Sequence, residues 1–195
     1  YKGRKNEPGT PHRDFIHNGN GKPKPDWHRD FAPKRPKHYV NMPPCRPRPV
    51  MPPSWRPYHG APVITTILGV AFGSSYYSSL DYFYNRGYMI NGYANNVVYL
   101  SNVSELYYTW PEVVMNYDRG YLSGAQFVYS NTFNDPSRYH RLYDVLSSRY
   151  GYPVYSDSTP GGWVESWYGG DSRGWVTLEY VAHGNRYYTT LSYGC

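Results

Sequence analysis

The chain has 195 residues and a formal charge of +6, unevenly spread: residues 1–60 hold thirteen of the twenty Lys and Arg, while residues 61–195 hold ten of the fourteen acids and no lysine. Thirteen of the eighteen prolines also lie in the first sixty residues. No run approaches the roughly 18 apolar residues that cross a bilayer as a helix, and "VITTILGVAF" (63–72) is short and broken by threonines, which excludes a transmembrane helix.

The composition break predicts a domain boundary near Gly60, with residues 1–60 a basic arm. Its stretch "KPKPDWHRDFAPKRPKHYVNMPPCRPRPVMPPSWRP" cannot carry a helix or a central strand, because proline removes amide donors and biases its predecessor to extended geometry. The arm therefore reads as extended, polyproline-II-like or disordered. Arg46, Pro49 and Pro52 have the Arg-x-x-Pro-x-x-Pro spacing that docks in aromatic grooves. The charge and the rings of Trp27, Phe31, Tyr39 and Trp55 suit nucleic acid, but no folded module accompanies them and no nucleic acid is expected as partner. Loose attraction to an anionic envelope surface or polymer needs charge alone. His12, His17, His28, His38 and His59 lack metal-ligand spacing, so no metal is expected. Cys45 and Cys195 can pair in an oxidising compartment and tie the arm across the domain; otherwise they are two unrelated thiols. The chain begins at Tyr1 without methionine, which leads to the expectation of a leader either cut away or left out of the sequence.

Past the arm, "FGSSYYSSLDYFYNRGY" (72–88) predicts a short helix capped by Ser74 or Ser75, with Tyr76, Leu80 and Phe83 on one face. Strands follow at "YMING" (88–92), "VVYLSNV" (97–103) and "VVMNY" (113–117), the last turning through "DRG" into "YLSGAQFVYS" (121–130). A second helix is predicted in "SRYHRLYDVLSSRYGYP", about a turn longer than the first. Asp135 caps it, Pro136 takes its first position, and Tyr139, Leu142, Tyr143, Leu146 and Tyr150 form its apolar stripe. Gly151 in the left-handed conformation ends it. His140 and Asp144 fall on the wet face, so the segment is a strut rather than an active-site helix. "WVESWYG" (163–169), "VTLEY" (176–180) and "RYYTTLSYG" (186–194) complete the pattern.

The two stretches share an order and nearly equal spacings. They predict an α+β domain over 61–195: two tandem helix-plus-antiparallel-meander repeats, about 63–131 and 132–195, forming one sheet with both helices on one face. Helix, "YGYP" exit and tryptophan-bearing meander resemble the α/β repeat of the β-lactamase-inhibitor-protein-like group, similar in plan to the SmpA/OmlA lipoproteins, and the layout also resembles uncharacterised secreted bacterial proteins. The resemblance rests on layout. It implies a non-enzymatic fold and an extracytoplasmic bacterial location: periplasmic, secreted or at the cell surface. The lipobox cysteine of the lipoprotein group is missing from the start.

Catalytic chemistry is hard to build from this chain. His183 reads as a turn residue, and no Gly-rich loop precedes a helix, so neither a catalytic residue nor a cofactor is expected. Glu165 and Glu179, on neighbouring predicted strands among aromatic residues, have the look of a glycan cleft. They serve a glycan-acting hydrolase only if they converge with Asp171; otherwise they are solvated strand residues. From residue 61 onward tyrosine supplies 22 of 135 residues, and with Ser, Gly and Asn nearly half, the amphipathic mixture favoured in binding surfaces. The expected function is a non-catalytic binding or scaffold module. Its open sheet face would contact an envelope protein or glycan through Trp110, Trp163, Glu165, Trp167, Tyr168 and Trp175, with some of these tryptophans taken into the core and the arm as tether. The alternative is a structural envelope component that acts through its arm.

Overall fold

The structure is a computed structural model that describes residues 25–28, 42–94 and 96–194. The chain divides into two compact units, Tyr1–Ala32 and Pro33–Cys195. In the first, the Asp26 carboxylate accepts the backbone N–H of His28 at 3.1 Å. Expectations placed on Phe31, Tyr39, His12, His17, His38 and Cys195 lie outside the described residues. The second unit takes in residues on both sides of Gly60.

The elements of the second unit run β1 (Thr66–Ile67), β2 (Val70–Ala71), α1 (Tyr76–Asn85), β3 (Met89–Ala94), β4 (Val97–Glu105), β5 (Tyr108–Asp118), β6 (Tyr121–Asn131), α2 (Ser137–Tyr150), β7 (Tyr155–Thr159), β8 (Gly162–Tyr168), β9 (Trp175–His183) and β10 (Arg186–Tyr193). The class is α+β. Eight strands form one antiparallel sheet in the order β3-β4-β5-β6-β10-β9-β8-β7, and β1 and β2 make a separate ribbon. The central pair β6 and β10 joins two four-strand meanders, each preceded by a helix.

Local chemistry explains the elements. In β5 the predicted inward residues Val113, Met115 and Tyr117 are all buried. Arg119 (φ 51) and Gly120 (φ 86) form the two-residue turn into β6, whose doubly positive φ suits the strands' right-handed twist. Ser75 caps α1, its hydroxyl accepting the Ser78 N–H at 3.3 Å, and Leu80 and Phe83 are fully buried. At α2 the Asp135 carboxylate takes the Ser137 N–H at 3.0 Å, which pulls its pKa below the usual value. Pro136 sits one place earlier than expected, as the capping residue, its carbonyl accepting from His140 N at 3.0 Å. Gly151 ends the helix with φ 80 and ψ −150, a glycine-only conformation distinct from the left-handed helical one.

Both helices cover the same side of the sheet, as pairing shows. Tyr93, in ring contact with Tyr76 of α1, registers through Val98, Met115, Ala125, Tyr193 and Val176 with Trp167. The Trp167 ring meets Tyr143 of α2, and its indole N–H donates to the Gly151 carbonyl at 3.0 Å. Partners directly opposite share a face. Leu80, Phe83, Leu142 and Leu146 therefore press into one continuous layer over Met115, Phe127, Leu178 and Leu191, all fully buried.

The segment "VITTILGVAF", expected only as an apolar run, is a strap across one end of the sheet. Its neighbours hydrogen-bond at both sides: Gly170 N–H to Pro62 O at 3.0 Å, and Gly73 N–H to Leu122 O at 2.9 Å. Gly174 lets the strap close in, because a Cβ there would stand 2.3 Å from the Ile64 carbonyl oxygen.

Candidate binding face

The six residues expected to share one open face are split. Trp110 and Trp167 are fully buried core. Trp110 packs against Phe127, its N–H donates to Glu105 O at 3.0 Å, and the Arg138 guanidinium of α2 caps its ring from 5.2 Å. Arg138 also lies over Tyr129 at 3.8 Å and Tyr108 at 4.3 Å, pinning α2 to β5 and β6. Trp163 lies on the helix side, stacked on Tyr180 at 5.5 Å and against Tyr139 and His140 of α2. Glu165 is on that side too. Only Tyr168 and Trp175 occupy the opposite, helix-free side.

That opposite side is not open where they stand. Val164 pairs with Glu179, Tyr168 with Trp175, Gln126 with Ser192 and Ser192 with Thr177, so Gln126, Tyr168, Trp175 and Glu179 share the helix-free face. Residues 43–55 cross it. The Gln126 side-chain amide donates to Pro43 O at 3.2 Å. Arg46 grips Glu179 with two nitrogens, Nη2 at 2.5 Å from one carboxylate oxygen and Nε at 3.1 Å from the other. This raises the arginine's pKa, chiefly through the hydrogen bond, in a pair where the Glu179 side chain is buried and that of Arg46 47% exposed. Arg48 lies over the rings of Tyr168 (5.4 Å) and Trp175 (5.3 Å) and donates to Ser172 O at 3.0 Å. The Tyr168 hydroxyl donates to Pro49 O, and Trp55 meets the same tyrosine ring edge-on at 5.5 Å. The Arg46, Pro49, Pro52 spacing thus has an aromatic and acidic partner within its own chain.

Sequence reasoning missed Gln126 and the part played by Arg46 and Arg48. The signal was present as a docking spacing in the arm and an acid and tyrosines on the strands, but nothing in the sequence joins the two halves.

The carboxylates do not form a catalytic pair. Glu165 registers with Leu178 and Glu179 with Val164, so they point to opposite sides of the sheet. Neither is a solvated strand residue, at 8% and 4% exposure. The Glu165 carboxyl accepts from the Tyr139 hydroxyl and from Ser156 Oγ at 3.3 Å, and burial pushes its pKa up to about 7. Asp171 is elsewhere, on the β8–β9 turn, where it lines a cleft of about 420 Å³ with Ile64, Phe72, Arg173 and Trp175. A smaller cavity of about 120 Å³ holds Glu105, Arg149, Tyr150 and Tyr193 under the strap. There the Tyr193 hydroxyl donates to Glu105 at 3.2 Å, and burial raises the pKa of both.

Cys45, at the start of the crossing segment, is disulfide-bonded, and the chain's other cysteine is Cys195. Among the described residues no helix is long and apolar enough to cross a membrane, and no group of three His, Cys, Asp or Glu could hold a metal ion. No known protein family, curated protein or solved structure matches the chain.

Proposed function

We propose that this chain is a non-catalytic, extracytoplasmic scaffold module of the bacterial cell envelope, whose sheet clasps the root of a basic, proline-rich arm. The single observation that carries the reading is the seating of Arg46 on Glu179 and of Arg48 over Tyr168 and Trp175. It turns the aromatic sheet face inward, to the chain's own arm. Ten of the twenty Lys and Arg lie in residues 1–41, ahead of the clasp, with four acids. That excess supplies attraction to an anionic surface, which needs no further site. The disulfide of Cys45 supports an oxidising location. The two helix-plus-four-strand halves, joined through their last strands, support a duplicated unit of the β-lactamase-inhibitor-protein-like kind. A sheet face that contacts an envelope protein or glycan is the second reading; over β8 and β9 it requires the arm to leave.

Sedimentation with lipid vesicles tests the leading reading. The full chain binds vesicles containing phosphatidylglycerol, binds phosphatidylcholine vesicles weakly, and is released by salt. A full-length variant with Lys2, Lys5, Lys22, Lys24, Lys34 and Lys37 changed to Gln loses that binding. Equal binding by the variant, or to neutral vesicles, overturns the reading.

A further inference from the structure

The clasp is made of side-chain contacts to an extended segment, and the segment is joined to the rest of the domain by a short exposed link. Trp55 touches Tyr168, and seven residues later the Pro62 carbonyl accepts from Gly170 on the same β8–β9 turn. Between them Arg56, Pro57, Tyr58, His59 and Gly60 are all exposed. The link folds back through a Tyr58–Ala61 turn (N–H to carbonyl 2.9 Å), and Gly60 has φ 77 with open space around its Cα. A short link between two docked ends is the usual hinge of an exchange between copies, because opening it relieves the turn while every docking contact is re-formed.

We propose that the helix-free face takes residues 43–55 of a second copy of this chain, so that two copies join by reciprocal exchange of their arms. The occupant is identified by the chemistry of the face. The face presents an amide for a proline carbonyl, a carboxylate for an arginine, a pair of rings for a second arginine two residues on, and a phenol for another proline carbonyl, and residues 43–49 carry that set in that order. The exchange is independent of what the arm's remaining charge attracts. In an exchanged pair the disulfide of Cys45 joins the two chains. Each bond forms as two thiols give two electrons and two protons to an oxidised-glutathione disulfide, which leaves as two glutathione thiols.

Charge reversal across the clasp tests this. One full-length chain carries Glu179→Arg, another Arg46→Glu, and each alone faces a like charge. Refolded together from denaturant with a glutathione couple, they restore an opposite-charge pair at both clasps, and the expected product is a mixed dimer of about twice 22.6 kDa on a non-reducing gel that falls to monomer on reduction. Neither chain alone gives it. A mixture that remains monomeric overturns the proposal. Because either variant can fail to fold, the unmodified chain is refolded across a range of concentrations. A disulfide-linked dimer whose share rises with concentration and is lost in Arg48→Ala supports exchange; monomer throughout, or a dimer indifferent to Arg48→Ala, overturns it.

Discussion

Glu165 and Glu179 stand on adjacent strands one register step apart and face opposite sides of the sheet, one under α2 and the other under the arm. The same residue type is thereby given two different tasks. Glu179 has a cation; the partners of Glu165 are hydroxyls, which satisfy its oxygens without neutralising a charge.

A pH dependence follows for Glu165. Its pKa is about 7 in the fold, above the ordinary carboxyl value, so between those values the folded state holds a proton that the unfolded state has lost. Stability is then greatest below the ordinary carboxyl range, falls as pH rises towards 7, and is level above. Partial solvent screening limits the loss to about 1–3 kcal/mol. Glu165→Gln removes this decline, so urea unfolding at pH 8 shows the variant more stable than the parent by about that amount, with little difference at pH 4.5. Equal pH profiles for the two proteins count against the burial argument.

At the clasp, Glu179→Gln leaves the Arg46 guanidinium without its counter-charge. Because Arg46 is half exposed, the global cost is modest, about 1 kcal/mol. The local effect is larger: the backbone amides of Cys45, Arg46, Arg48 and Val50 exchange with deuterium faster, while those of β6 and β10 keep their protection.

Arg138 is held by three rings and by the Thr109 carbonyl at 3.1 Å. Arg138→Ala is expected to cost about 1–3 kcal/mol in thermal or urea unfolding. Arg138→Lys recovers only part, since an ammonium cannot lie flat on Tyr129 and reach Thr109 together.

In the layer under the helices, Leu146→Ala opens a cavity at a fully buried site and costs about 2–5 kcal/mol. Tyr152→Ala, at a residue 93% exposed, changes stability by less than about 0.5 kcal/mol. Paired denaturant curves check both.

Both helices and seven of the eight sheet strands were legible in the sequence, because their apolar residues recur at the period of the element. β7 was not. All five of its residues are exposed, and "YSDST" carries no alternation to read. Nor were β1 and β2 legible, since two-residue strands are set by the strap's tertiary contacts. The seating of residues 43–55 was not legible for a related reason: composition marks where proline and charge stop, but not which of them find partners on a surface 133 positions away, as Arg46 does. The binding face was misread because tryptophan and tyrosine patterns do not say which side of a sheet stays bare. Trp110 and Trp167 went to the interior, where a large ring contributes most.

Of the ten strands among the described residues, β10 is made last, yet it is the seam of the eight-stranded sheet, flanked by β6 and β9. During synthesis from the N-terminus, β3 through β6 must wait with an unsatisfied edge on β6 until β10 arrives. The growing polypeptide thus has a late and single moment of closure, and folding on the ribosome cannot run to completion half by half.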